Sequence, residues 1–290
     1  MRVIRSIKEM AGFSDKMRSK GKAIGFVPTM GALHEGHSSL ILRAHKENDI
    51  VVVSIFVNPI QFGPKEDYRR YPRNLKHDAR LCQKAGADVI FCPGAQQMYH
   101  DNYKTYVIVE NLSDVLCAKF RPGHFKGVAT VVTKFFNIVR PHKAYFGQKD
   151  AQQAIIIKKI AEDLNIPVRI KVMPTVREKD GLAMSSRNTY LNKEERLDAK
   201  VLYQALILAK NLIKRGYTDS SGIIRKMRRL INKKKSACIQ YIAIVNPNDL
   251  QPIDKIRGRI LIALSAWIGR TRLIDNIIAK AQKKDSKTQL

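Results

Sequence analysis

The chain has 290 residues, 44% hydrophobic and 27% charged, which is too apolar for a disordered segment and long enough for two modest domains. Its formal charge of +28, from 53 Lys and Arg against 25 Asp and Glu, brings polyanions into consideration, but the basic residues run along the whole length without interleaved aromatics. A solvated basic face that draws in small anionic substrates is therefore favoured, and a nucleic-acid partner is disfavoured.

No run reaches the roughly 20 apolar residues of a membrane span. The N-terminal stretch MRVIRSIKEM has no uninterrupted signal-peptide core, and Cys82, Cys92, Cys117 and Cys238 lack the short paired spacing of a zinc site or a disulfide scaffold. A cytoplasmic protein with reduced cysteines is expected.

In chain order, a first strand is predicted over residues 23–27, followed by a loop, 28–36, and a helix from about 37 to 47. Residues 50–57 form an almost continuous β-branched run, the pattern of a strand buried on both faces of a parallel sheet. The unit then repeats: helix 74–85 leads to strand 88–92, helix 128–139 to strand 144–147, and helix 151–163 to strand 168–172. This alternation predicts an α/β fold, a Rossmann-like parallel sheet with flanking helices and with ligand sites at the carboxyl ends of its strands. After Pro174 the texture changes. Helices at about 193–215 and 220–232 precede strand-like runs at 239–245, 259–264 and 272–278, which predicts a smaller α+β C-terminal domain over 176–290, with a polar frayed tail after Lys280.

Met30, Gly31, Ala32, Leu33, His34, Glu35, Gly36 and His37 occupy the turn from the first strand into its helix. Such a junction aims backbone N–H groups and a helix dipole at an anion, and two histidines add donors for a phosphate that gains charge in a transition state. Gly31 and Gly36 followed by His37 and Ser38 come near a P-loop, but histidine replaces the phosphate-reaching lysine, and Asn58 stands where a Walker-type ATPase offers an aspartate. His34 and His37 are three apart with a glycine between, so the zinc-protease arrangement, which needs histidines four apart on an unbroken helix, is set aside.

A second strand end carries Gly147, Gln148, Lys149 and Asp150. Lys149 suits a phosphate. Asp150 suits a helix cap, a ribose hydroxyl or magnesium. Met184, Ser185, Ser186, Arg187 and Asn188 combine hydroxyls with a guanidinium, the chemistry of a mobile phosphate clamp. Gln61 leaves the end of strand 50–57, where it would orient a hydroxyl or a carboxylate or else lie exposed in a Pro-Gly turn.

Together these stretches resemble the pantothenate synthetase family, which belongs to the HIGH/KMSKS nucleotidyltransferase superfamily. Residues 26–37 are similar to the family's P-T-M-G-A-L-H-x-G-H, residues 184–188 to its KMSKS counterpart, and 57–63, 121–129, 144–153 and 174–187 follow its pattern nearly residue for residue. Ala118, where the family more often has glycine, and Asn246, where it usually has aspartate, depart from it outside the phosphate motifs.

The resemblance implies a pantoate–β-alanine ligase that forms an amide through a pantoyl-adenylate, releases AMP and pyrophosphate, and works as a homodimer. It implies ATP contacts at Met30 to His37, Gly147 to Asp150, Val176 and Met184 to Arg187. His37, His34, Lys149, Ser185, Ser186 and Arg187 would be catalytic, with His37 in the role the family describes as proton donor. Gln61 and Gln153 would hold pantoate, with Gln61 also near β-alanine. Residues 1–175 would bind nucleotide and pantoate, and 176–290 would form a lid. Magnesium would enter with ATP, Asp150 lying close to it or to the ribose, with no zinc and no organic cofactor. The competing classes are another HxGH nucleotidyltransferase, which would need no pantoate pocket, and an RNA-binding protein, whose affinity would fall steeply with salt.

Overall fold

In the computed structural model, which describes residues 1–64 and 66–281, the chain divides into two compact units. One is Met1–Val176 with Met184–Ser186, and the other is Arg177–Ala183 with the residues from Arg187 on. The polar tail expected after Lys280 falls, from residue 282 on, outside the described residues.

The first unit runs β1 (Arg2–Ile4), α1 (Ile7–Ser19), β2 (Ile24–Thr29), α2 (Glu35–Glu47), β3 (Ile50–Ile55), α3 (Leu75–Lys84), β4 (Val89–Phe91), the short α4 (Ala95–Met98), α5 (His124–Val139), β5 (Lys143–Gly147), α6 (Ala151–Asp163) and β6 (Arg169–Met173). Its strands form one parallel sheet in the order β1-β4-β3-β2-β5-β6. From β2 the chain steps outward to β3 and β4, then returns to lay β5 on the other side of β2. That reversal is a topological switch point, and the crevice outside the carboxyl ends of β2 and β5 is where an open α/β sheet binds its ligand.

Strand β3 is buried along nearly its whole length, as its unbroken apolar run requires of a strand covered on both faces. On one face Val27, Val51, Val53 and Ile55 pack with Leu40, Ile41 and Ala44 of α2 and with Cys82 of α3. Elsewhere in the unit, Phe135 of α5 takes edge-on contacts from Phe26, Phe91 and Phe56 at centroid distances of 5.6, 6.1 and 6.2 Å, a favourable arrangement of ring quadrupoles.

Three elements of this unit, β1, α1 and the short α4, were not predicted. Strand β1 is three residues long at the sheet edge, and α1 is capped by Ser6, whose hydroxyl accepts from the Glu9 N–H at 3.3 Å. The predicted helix 128–139 is α5, which begins at His124 rather than 128. Its N-cap, Gly123, has φ 78°, so the Arg-Pro-Gly sequence starts the helix instead of prolonging a loop. Gly127 is tolerated inside the helix because its bare backbone lies against the turn Pro59–Gln61. A Cβ there would stand 2.6 Å from the Ile60 carbonyl oxygen and the Gln61 Cα.

The second unit contains α7 (Lys193–Lys214), α8 (Ser220–Ile231), β7 (Ala237–Val245), β8 (Arg259–Ile268) and β9 (Thr271–Lys280), with the strands forming an antiparallel sheet in the order β7-β8-β9. Asn192 starts α7 through a reciprocal capping box with Glu195. Strands β8 and β9 run longer than predicted because Gly269, at φ 55°, lets them turn tightly between Ile268 and Thr271. Leu182 is buried with Leu202, Leu206, Ile223 and Ile262 in the core of this unit.

Leu182 belongs to a hairpin, 177–183, that polar groups also anchor. Arg177 makes a two-pronged salt bridge to the buried Asp275 at 2.7 and 2.9 Å and lies over the Tyr203 ring at 4.1 Å. Arg196 bonds both Glu178 and Asp180. Among the described residues, no helix is long and apolar enough to cross a membrane.

Asp275→Ala strands a largely buried guanidinium without its countercharge and is expected to cost about 3 kcal/mol of stability, seen as a lower urea midpoint. The double change Arg177→Met with Asp275→Leu is expected to recover most of that loss, since it removes both charges and leaves volume in place.

Candidate active site

The loop from β2 into α2 begins at Thr29, whose hydroxyl donates to the Ser54 carbonyl at 2.6 Å and accepts from the Gly31 N–H at 3.2 Å. Gly31 (φ 83°) and Ala32 (φ 51°) both take left-handed backbone. What holds them there is Asp78 of α3, only 1% exposed, whose carboxylate accepts from the N–H groups of Ala32 at 3.0 Å and Leu33 at 2.8 Å. A Cβ on Gly31 would lie 2.9 Å from the same carboxylate.

His34 is the N-cap of α2. Its Nδ1 accepts from the Gly36 N–H at 3.1 Å, and the Nδ1 of His37 accepts from the His34 N–H at 3.3 Å, so two imidazoles form a capping box usually made by a hydroxyl and a carboxylate. A backbone N–H is only a donor, so both Nδ1 atoms are unprotonated and each neutral ring carries its proton on Nε2. The ring centroids are 4.1 Å apart. Gly36 makes room for this: a Cβ there would fall 2.8 Å from the His34 ring and 3.9 Å from the Cβ of Met184.

The expectation of free backbone amides facing an anion therefore needs revision. The N–H groups of Gly31, Ala32, Leu33, His34, Gly36, His37 and Ser38 all have partners, on Thr29, on Asp78 or within the loop. The bonds from Gly36 and His34 engage Nδ1 of each imidazole and so place the ring proton on Nε2. His37 titrates well below the usual imidazole range, chiefly because burial disfavours its charged form, then because of His34 and of Lys149.

Lys149 and Asp150 sit in the short turn Gln148–Asp150 between β5 and α6. The influence of Lys149 on His37 joins the end of β5 to the end of β2, across the switch point. Asp150 is the N-cap residue of α6, but its carboxylate makes no capping bond. Of the uses that its position suggested, capping falls away. Gln153, on the first turn of α6, is half-buried, whereas its neighbour Gln152 is spent on structure, accepting from the Cys117 N–H and donating to the Leu112 and Val115 carbonyls.

Met184, Ser185 and Ser186 belong to the first unit, where the Met184 N–H bonds the Val176 carbonyl at 3.0 Å and the Ser186 hydroxyl lies 3.4 Å from that of Tyr71. Arg187 belongs to the second unit. Glu35 is exposed on the first turn of α2.

Gln61 is buried in the turn that follows β3, and its amide donates to the Met30 thioether at 3.0 Å. Three residues that the sequence reading passed over fix it. Asn58, considered there only as the residue in place of a Walker aspartate, bonds the Gln61 side chain at 3.0 Å, and Tyr99 bonds Asn58 at 2.8 Å. His124 bonds the Gln61 carbonyl through Nδ1 at 2.9 Å while its Nε2 faces Arg121, itself clamped on Glu66. Asp78 is a fourth residue missed. Its signal was present: Leu75, Asp78 and Cys82 share a helix face, so a carboxylate stands in an apolar stripe.

The sequence model of the family described as Pantoate-beta-alanine ligase matches residues 2–278. A pantothenate synthetase of Caldicellulosiruptor bescii is 54% identical over 97% of this chain and all of its own length. Among solved structures, pantothenate synthetase from Thermus thermophilus is 42% identical with a TM-score of 0.90, covering 96% of this chain and 99% of that one. A pantoate-beta-alanine ligase from Francisella tularensis, complexed with beta-gamma ATP and beta-alanine, is 36% identical with a TM-score of 0.79, covering 96% and 97%.

A histidine held neutral in the fold leaves the unfolded chain binding the extra proton, so its contribution falls as pH drops below the ordinary value of 6.5 and levels off beneath the lowered folded value. The melting temperature of the wild type is expected to drop more between pH 7.5 and 5.5 than that of His37→Asn. Parallel curves for the two proteins by calorimetry would show that His37 is not the group held neutral.

Proposed function

The chain belongs to the pantoate-beta-alanine ligase family, an ATP-using ligase that forms an amide bond in pantothenate biosynthesis, and we propose how its residues carry that reaction. The pantoate carboxylate attacks the α-phosphorus of ATP; a new P–O bond forms as the bond to the pyrophosphate leaving group breaks, giving pantoyl-adenylate. The amine of β-alanine then attacks the activated carbonyl carbon; the C–N bond forms, the bond to AMP breaks, and the amine loses its proton. No protein nucleophile enters either step, so the protein's work is to orient the reactants and to neutralise charge.

The observation that carries this reading is the imidazole pair at the N-terminus of α2, with both Nδ1 atoms bonded to backbone and the Lys149 charge close by. In this role His34 and His37 donate Nε2–H bonds to phosphate oxygens as negative charge shifts onto the leaving group. Because His37 is neutral at working pH, it is first a hydrogen-bond donor, and an arriving phosphate raises its proton affinity. Lys149 adds a full positive charge, and Ser185, Ser186 and Arg187 complete the clamp. Met30 to Gly36, Gly147, Gln148, Val176 and Met184 form the ATP surface. Gln61 and Gln153 hold pantoate, with Gln61 also beside β-alanine.

Magnesium fits these residues as a companion of the nucleotide. Among the described residues no cluster of three or more metal-ligating side chains occurs, and Asp150 offers one carboxylate that caps nothing, which suits an ion held by one carboxylate together with phosphate oxygens and water. When bound, the ion draws charge off the phosphate oxygens. The first unit serves as the nucleotide and pantoate domain and the second as its lid, in a homodimer whose mass sedimentation would report. A cytoplasmic setting accords with four free cysteines.

Exchange of labelled pyrophosphate into ATP is expected to require pantoate but not β-alanine, and AMP release to require all three substrates. His37→Ala should slow the exchange by about 10²- to 10³-fold with an unchanged circular dichroism spectrum; full exchange in that variant would remove the imidazole from the chemistry.

A further inference from the structure

We infer that Tyr99 anchors the Asn58 amide through which Gly127 sets the polarity of Gln61, so that Gln61 meets its substrate as a hydrogen-bond donor; this rests on the ligase reading above. The chain of contacts begins at Asn58, which is 1% exposed and whose amide has three partners. Its Nδ2 donates to the Gly127 backbone carbonyl at 3.1 Å and to the Gln61 Oε1 at 3.0 Å, and its Oδ1 accepts from the Tyr99 hydroxyl at 2.8 Å.

A backbone carbonyl only accepts, so Gly127 requires the NH₂ end of Asn58 on its side. The Tyr99 hydroxyl, which can donate or accept, makes no such choice; given the orientation that Gly127 sets, it donates to Oδ1 and anchors the amide there. Burial, with Tyr103 and Tyr106 nearby, raises the Tyr99 phenol above its ordinary range, so it keeps its proton and its donor role at working pH. Asn58 thus has one satisfied orientation. Reversing it would set its oxygen against the Gly127 oxygen, a repulsion that no rotation of Tyr99 or Gln61 relieves.

The orientation passes on to Gln61. With Oε1 occupied by Asn58, only the Nε2 end of Gln61 remains for a ligand, and it lies on the Met30 thioether, a weak acceptor. A hydroxyl or carboxylate oxygen of pantoate is a far better partner for that N–H, whereas a substrate donor would find none. Tyr99 touches no substrate in this scheme. It is a positioning residue that acts through Asn58 and Gln61, and it stands three contacts away from the pantoate oxygen.

The test measures initial AMP release against pantoate and, separately, against ATP, for the wild type, Tyr99→Phe and Asn58→Asp. Phenylalanine preserves the edge-on packing on Tyr103 at 5.0 Å and the tilted contact with Phe56 at 6.3 Å and removes only the hydroxyl. Tyr99→Phe is expected to raise the KM for pantoate about tenfold, with kcat and the KM for ATP held within about twofold. Asn58→Asp, which offers Gln61 an acceptor and so turns its amide round, is expected to raise the pantoate KM further. A pantoate KM unchanged in Tyr99→Phe, or an ATP KM that climbs in parallel, overturns the inference and leaves the ligase reading intact. A wild-type protein that releases no AMP with all three substrates present overturns the ligase reading itself.

Discussion

The carboxylate of Asp78, buried beneath the β2–α2 loop, is the constraint on which the candidate site depends. It gathers the N–H groups of two consecutive residues, one of them the non-glycine Ala32 in left-handed backbone. Such a conformation costs a non-glycine residue free energy and persists only where its surroundings over-determine it. With the loop pinned from below, His34 arrives at the N-cap position of α2, and everything said of the two imidazoles follows from that placement. A buried carboxylate without these two donors would itself be costly, so the loop and the carboxylate stabilise each other.

The second link is the use of imidazole for capping. Serine or aspartate at an N-cap would satisfy backbone amides and do nothing more. Histidine satisfies them through Nδ1 and still carries an N–H, on Nε2. One hydrogen bond therefore performs two tasks, ending the helix and choosing the tautomer. The arrangement also explains why a neutral His37 is compatible with phosphate chemistry. A burial-depressed imidazole beside Lys149 does not compete with the lysine for charge, and the site keeps one full cation and two oriented neutral donors.

The sheet and the loops at its strand ends were legible because each has a local cause. The apolar run of β3 can be read from periodicity alone, and the two histidines stand at a strand–helix junction where their spacing matters. What escaped was non-local or disguised. Asp78 lies 45 residues from Leu33, whose N–H it accepts, and in sequence it looks like an acid favoured by the start of a helix. The first turn of α5 reads as a loop because Arg-Pro-Gly is turn composition, and only the close approach of Gly127 to Gln61 explains a glycine inside a helix. The structural use of Gln152 was also invisible: helical phase turns it toward the 112–117 loop, where it bonds Cys117, Leu112 and Val115.

The border between the two units shows why a single cut in the sequence describes this chain poorly. Residues 177–183 belong to the second unit and are tied into it three ways: by Leu182 in its core, by Arg177 on Asp275, and by Glu178 and Asp180 on Arg196. Met184–Ser186 belong to the first unit, and from Arg187 the chain is in the second again. The serines proposed for the phosphate clamp therefore lie on a three-residue bridge tethered at both ends. On the near side the Asn188 amide bonds Glu178 and the Ala183 carbonyl, closing the base of the bridge within the second unit. Taken alone, Met-Ser-Ser is ordinary loop composition, and the same residues read as a clamp only when the hairpin before them is considered.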